Sequence, residues 1–197
     1  MKSLFIPKNH KQFKTLKTYN GSQLRPLFAY ENFKLAGDSI ISWASPCDVH
    51  IEHMVDFEDK IENSKIAADS MLHFIIEVFP ANLSLGVALQ RILAAIAKDL
   101  IIKMSPLKDL QINRDGDDLY IMHNKKLGKL SISIATVSAV ATHIHFAVNI
   151  KNSGTPVQTA CLNDLKINPE KFSSQLIKDF IKEYNSIMFA TKKVKPL

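Results

Sequence analysis

Residues 116–133 read GDDLYIMHNKKLGKLSIS. Two carboxylates, Asp117 and Asp118, stand before a short apolar run, and Lys125 and Lys126 stand before Gly128 and a second apolar run. Short apolar or alternating runs bounded by turn residues read as strands. DLYIM (118–122) and KLSISIAT (129–136) are therefore expected to be strands, joined by the polar turn NKKLG. At such short spacing the natural connection is an antiparallel hairpin.

Working outward, HIHFAVNI (143–150) continues the series of strands, and a further one is expected at about 109–113, ahead of the Asp-Gly turn. Upstream, MLHFIIEVF (71–79) is a nearly continuous apolar run ended by Pro80, the pattern of a strand buried on both faces. LSLGVALQRILAAIAKDLI follows, capped by Ser84 or Asn82, and keeps Leu85, Leu89, Ile92, Leu93, Ile96 and Leu100 at helical spacing. A closing amphipathic helix is expected at about 169–190, bearing Phe172, Leu176, Ile177, Phe180, Ile181 and Tyr184. Nearer the start, Ser22 is placed to cap a short helix carrying Leu24, Leu27 and Phe28, with Pro26 in its first turn. DSIISWA (38–44) reads as a strand, whereas SPCDVHIEHMVDFEDK (45–60) follows no simple period and reads as an acidic loop. The sum is an α+β fold with a mainly antiparallel sheet and flanking helices against one face.

The chain has 197 residues, 46% of them hydrophobic and 22% charged, enough to bury a sizeable core in a single domain, 1–197. No apolar run approaches the roughly 18 residues of a membrane span. The apolar patch Leu4–Ile6 is far too short for the core of a signal peptide. Cys47 and Cys161 lie far apart, with no paired spacing, so no disulfide framework is expected and a cytoplasmic location is. The net charge is +6, but arginine occurs only at 25, 91 and 114, and lysines gather near the ends at Lys8, Lys11, Lys14, Lys17, Lys192, Lys193 and Lys195. That distribution fits solvated termini better than a nucleic-acid surface. Cofactors and oligomeric state have no signature.

In the order AGDSIISW, loop 45–70, MLHFIIEVF, LSLGVALQRILAAIAKDL, GDDLYI, KKLG and HFAVNI, the core at about residues 22–150 resembles biotin and lipoate protein ligases and the related octanoyltransferases. The resemblance implies a class II synthetase-like core and acyltransferase or ligase-type activity on a small carboxylic acid or its thioester. The partner would be a small-molecule or acyl-carrier substrate. YNGSQLRPLFAY, GDSI, PCDV and HMVDFED also resemble an uncharacterised domain-of-unknown-function family, family 366, over nearly the whole chain.

By the Lys-x-x-Gly spacing of the ligase-like families the resemblance places an acyl-orienting or oxyanion-stabilising lysine at Lys125, with Gly128 allowing the tight hairpin. Lys126 competes if the hairpin is one residue shorter, and the alternative for both is an ordinary polar turn. The octanoyltransferases carry a nucleophilic cysteine after the Val-Asn strand, and Cys161 sits at a similar distance, where a nearby lysine would favour the thiolate. The acidic loop stands where the biotin ligase has a Gly- and Arg-rich loop that wraps the adenylate phosphate, so Asp48, Glu52, Asp56, Glu58 and Asp59 argue against adenylation with ATP.

Arg25, Asp38, Asp118, His143, His145 and Asn149 complete the set expected to line a ligand cleft, the two histidines sharing one strand face by the period of two. Cys47, His50 and His53 offer soft and imidazole ligands within one loop, a possible zinc set. Asp56 and Asp59 either hold Mg2+ or face water. The alternative to an enzyme is a non-catalytic small-ligand-binding protein of the same fold.

Overall fold

The computed structural model describes residues 1–108, 110–123 and 126–195. Its strands are β1 (Lys2–Phe5), β2 (Ser39–Val49), β3 (Ile66–Val78), β4 (Gln111–Asp115), β5 (Asp118–His123), β6 (Lys126–Lys129), β7 (Ser131–Val137) and β8 (Thr142–Asn149). The central sheet has the order β1-β2-β3-β8-β7, and a second, three-stranded sheet has the order β4-β5-β6. Of the pairings between these strands among the described residues, β1–β2 is parallel and the others antiparallel.

Burial explains the unbroken apolar runs. Every residue of β8, and every residue of β3 from Met71 onward, is buried, because both faces of the central sheet are covered. On one face Ile40, Leu72, Phe74, Ile76, Ile144, Phe146 and Val148 pack beneath two long helices, α3 (Leu83–Met104) and α4 (Pro169–Ala190). Leu89, Leu93, Ala97 and Leu100 of α3, and Phe172, Leu176 and Phe180 of α4, form the apolar stripes that meet it. The other face presents Ile41, Trp43, Met71, Ile75 and Ala147, covered by Ile6, Leu16, Tyr19 and Phe28 of the N-terminal segment. The expected α+β arrangement, with a mainly antiparallel sheet and helices to one side, is the observed one.

Side-chain caps set the helix starts. Asn82, rather than Ser84, caps α3 by accepting from the Leu85 N–H at 2.9 Å. Asn168 caps α4 by accepting from Lys171 N–H at 3.0 Å, with Pro169 at its first position. Among the described residues no helix is long and apolar enough to cross a membrane.

Three local readings differ from the sequence pattern. Ser22 caps no helix: its N–H and hydroxyl both donate to Asn20 Oδ1, at 3.1 and 2.7 Å, closing a separate turn. The short helix α1 (Phe28–Phe33) starts only after Pro26, with Leu27 at φ 60°. The expected loop 45–60 is partly regular, since β2 runs on to Val49 beyond a register shift between Ser45 and Cys47. A bulge slips the alternation by one residue and so hides the continuing strand from a period-2 reading. After it come a 3-10 turn (Ile51–His53) and the short helix α2 (Phe57–Ile61), whose first turn donates to Asp56 Oδ1 from Glu58 N–H at 2.8 Å.

The third difference lies in the opening stretch. KLGK is strand β6 of the small sheet rather than a turn, and the chain changes sheets at Leu130. Leu130 is fully buried; its N–H donates to Leu119 O at 2.7 Å and its carbonyl accepts from Asn149 N–H at 2.9 Å, which locks the two sheets together.

Candidate functional site

Where the small sheet meets the edge of the central one, a cavity of about 400 Å³ opens. Met71, Ile132, Ile134, Leu24, Val49 and Val55 give it apolar walls, and Asp56, Asp59, Asp117, Asp118, Lys65, Lys129, His53, His145 and Asn149 supply charge and polarity. Its position follows from strand parity. Leu119 and Ile121 of β5 turn into the main core, which leaves Asp118 and Tyr120 facing the other way, and the β6 residue Lys129 pairs with Tyr120 in the register and so stands beside Asp118.

Lys129 Nζ lies 2.7 Å from Asp118 Oδ2, both side chains being half-buried. Burial works against the ammonium, but the hydrogen bond and charge of Asp118 outweigh it, so the Lys129 pKa rises above the usual lysine range. The neighbouring Asp117 is held differently. Arg91 Nη1 sits 2.9 Å from its Oδ1, and Gln90 Nε2 donates to its Oδ2 at 2.7 Å and to Ser133 Oγ at 3.0 Å. Burial raises the carboxyl pKa of Asp117 and likewise that of Asp59, which Asp56 raises further.

Gly128 makes this corner possible. A Cβ there would lie 2.6 Å from Ala160 N and 2.7 Å from the Thr159 carbonyl carbon, because the segment 158–160 runs directly against β6. Lys129 N–H donates to Gln158 O and Ala160 N–H donates to Lys129 O, both at 3.1 Å. Asn149 Nδ2 braces the same joint by donating to Lys129 O at 3.1 Å and Ala160 O at 3.3 Å.

The inner wall holds a buried aromatic group. His145 stacks on Tyr19 with ring centroids 3.8 Å apart, and its Nε2 lies 3.1 Å from His73 Nδ1. His73 Nε2 in turn lies 3.2 Å from Ser45 O, and Trp43 Nε1 donates to Ser45 Oγ at 3.0 Å. Burial pushes His73 down to about 4 and His145 well below the usual imidazole range, with His73 adding to the effect on His145.

Of the residues expected from the sequence, Asp118, His145, Asn149 and His53 line the cavity, and Gly128 shapes its edge. Lys125 lies outside the described residues; Lys126 stands opposite His123 in the register. Asp38 is placed elsewhere: it accepts from Phe79 N–H at 2.9 Å and Tyr184 O–H at 2.6 Å, tying the sheet to α4. Arg25 is exposed, paired with Glu31 at 2.5 Å. His143 shares the face of His145 but sits beyond the cavity, with Nε2 2.9 Å from Ser138 Oγ.

Cys161 is 2% exposed and does not line the cavity; burial pushes its thiol up to about 11. Cys47 is buried in β2 with its thiol raised to about 12, while His50 is exposed beyond the strand end. Among the described residues no group of three His, Cys, Asp or Glu side chains is placed to hold a metal ion, so Cys47, His50 and His53 do not come together as a zinc set.

Sequence reasoning missed Lys129, Asp117, Tyr19, His73 and Gln90 as site residues. Lys129 and Asp117 carried a usable signal, as each adjoins a residue that was singled out. Tyr19 and His73 carried none, since only the folded sheet brings them to His145.

In the solved structures, a protein of unknown function from Pyrococcus horikoshi is 33% identical, with a TM-score of 0.86 over 99% of both chains. A bipartite lipoate protein ligase from Thermoplasma acidophilum, studied with its lipoyl domain, is 13% identical, with a TM-score of 0.55 over 93% of this chain and 83% of that one. A biotin protein ligase from Aquifex aeolicus in complex with biotin and ATP is 9% identical, with a TM-score of 0.56 over 92% and 69%. These two ligases share the fold. An uncharacterised protein of Methanocaldococcus jannaschii is 31% identical over 186 residues, 91% of this chain and 80% of that one. With a family model matching residues 9–195, the chain belongs to the family described as Domain of unknown function (DUF366).

Proposed function

We propose that the cavity binds a small carboxylic acid or its thioester, apolar body inward and acyl head at Lys129 and His145, and that the chain transfers the acyl group to an acceptor. The observation that supports this reading is the composition of the cavity: apolar walls of Met71, Ile132 and Ile134 lead to a polar end built from Lys129, Asp118, Asn149 and His145. Pockets of this size that grip an apolar body and fix one polar group are typical small-molecule sites. The lipoate and biotin ligases of similar fold act on acids of that kind, which agrees with the reading without carrying it.

Charge favours a thioester over an adenylate. A phosphate in the cavity would face Asp56, Asp59, Asp117 and Asp118, with Lys129 already paired to Asp118. A thioester presents a neutral carbonyl, and the aspartates would attract a cationic amine acceptor such as the lysine of a carrier protein. The neutral, buried thiol of Cys161 is a poor nucleophile, so direct transfer to the acceptor suits the geometry better than a thioester on Cys161.

The test is incubation of the full chain with octanoyl-coenzyme A and Nα-acetyl-lysine amide, reading free thiol and the mass of the acylated amine. Release of both in equal amounts, lost in Lys129→Ala, is the expected result. Binding of the thioester with no turnover across a panel of amines would favour the alternative, a ligand-binding protein without catalysis.

A further inference from the structure

The buried pair His73 and His145 forms a chain that ends in a group unable to take a proton. Ser45 O can only accept, so His73 Nε2, 3.2 Å away, must carry the hydrogen. In a neutral ring that leaves His73 Nδ1 as an acceptor. His145 Nε2, 3.1 Å from it, must then be the donor. The unprotonated nitrogen of His145 is therefore Nδ1. Burial keeps both rings neutral, which is what the assignment requires.

Nδ1 of His145 also opens on to the cavity. Among the described residues it has no hydrogen-bond partner, yet the only buried side-chain nitrogen or oxygen without one is Nδ1 of His143. His145 lines the cavity, and Tyr19 covers one face of its ring. The titratable groups around it are His73 from β3, Tyr19 and Cys47 on the covered face, and His53, Asp56, Asp59, Lys65, Asp117, Asp118 and Lys129 on the cavity walls.

We infer that His145 Nδ1 is the proton acceptor of the cavity, and that His73 is a positioning residue that fixes its tautomer. This deepens the acyl-transfer reading and rests on it for the identity of the proton donor. The acceptor, drawn in as an ammonium, first releases one proton to solvent; as the neutral amine bonds to the thioester carbonyl carbon, a second N–H proton passes to His145 Nδ1. The carbon–sulfur bond then breaks, and the same proton returns from Nδ1 to the departing thiolate. While charged, His145 keeps its Nε2–H bond to His73. Because the chain ends on a carbonyl, the proton has no exit at the far end and must return to the cavity, which is what attack and departure at one carbonyl require.

The test uses the full chain labelled with 15N-histidine, read by long-range proton–nitrogen spectra near neutral pH. His145 Nδ1 at an unprotonated shift, with Nε2 protonated, is the expected result; the reversed assignment would overturn the inference. His73→Gln, which keeps an acceptor and a donor in place, should preserve the tautomer, whereas His73→Leu should mix it. In the octanoyl-coenzyme A assay, His145→Gln should lower turnover on the order of 100-fold. Unchanged turnover in His145→Gln would also overturn the inference. If the wild-type chain transfers no acyl group, the acyl-transfer reading fails, and the inference stands or falls on the spectrum alone.

Discussion

The two faces of the central sheet are built on the same strands and end up as opposites. Beneath α3 and α4 the side chains that meet are mostly apolar: Phe74, Phe146, Leu93 and Phe180 are all fully buried. The other face carries His73, Glu77, His143 and His145 among Trp43, Ile41 and Ile75, all of them buried as well. A helix supplies a continuous apolar stripe, so the first face carries few polar groups, among them the buried pair Ser173 and Ser42 at 2.8 Å. The N-terminal segment supplies mainly single residues such as Leu16 and Tyr19, and it stops short of β7, where the cavity begins. The closed face carries the larger apolar core, and the incompletely covered face carries the cavity.

That division is open to direct attack. Phe146→Ala on the helix face should cost about 3–5 kcal/mol, measured by chemical denaturation, with the sheet face across from it unchanged in its histidine spectra. A cost below 1 kcal/mol would mean that the helix face is not the stabilising one.

Acid should act through the histidine face. A histidine whose folded pKa lies below its unfolded value binds fewer protons in the native state, so stability is full above the unfolded value and falls as pH drops towards the folded one. For His73 the window runs from 6.5 down to about 4. The loss should reach up to about 3 kcal/mol. Glu77, Asp59 and Asp117 have raised pKa values and oppose this in the carboxylate range, so the histidine effect is cleanest between about pH 5.5 and 7. A His73→Gln, His145→Gln double variant should flatten the stability profile there; an unchanged slope would place its origin elsewhere.

Gly128→Ala should cost roughly 1–3 kcal/mol, because the added Cβ meets backbone at 158–160 rather than a side chain that can move. It should also weaken binding at the cavity edge. Asp118→Asn sits at the bottom of the scale. The Lys129 pair is half-exposed, so its loss should cost under about 1 kcal/mol, yet change ligand affinity by freeing the ammonium.

The same contrast explains what was legible in the sequence. The long helices and β3 declared themselves because one-sided or two-sided burial writes a period that composition cannot hide, and the likeness to biotin and lipoate ligases pointed to the fold. The cavity did not declare itself in this way. Motif spacing pointed to Lys125, which lies outside the described residues, and gave no sign of Lys129, which strand parity puts opposite Tyr120 and beside Asp118. The change of sheet at Leu130 leaves no mark, since the alternation continues through it. His73 and Tyr19 meet His145 only across strands and a covering segment far away in sequence, a juxtaposition that no local pattern encodes.

The most direct measurement of the central claim is calorimetric titration of octanoic acid into the wild-type chain and into Ala67→Phe, which fills the cavity from β3. Saturable one-to-one binding to the wild type, lost in Ala67→Phe at unchanged thermal stability, is the predicted result. No binding to the wild type, or equal binding to both, would contradict the assignment of this cavity as the acyl site.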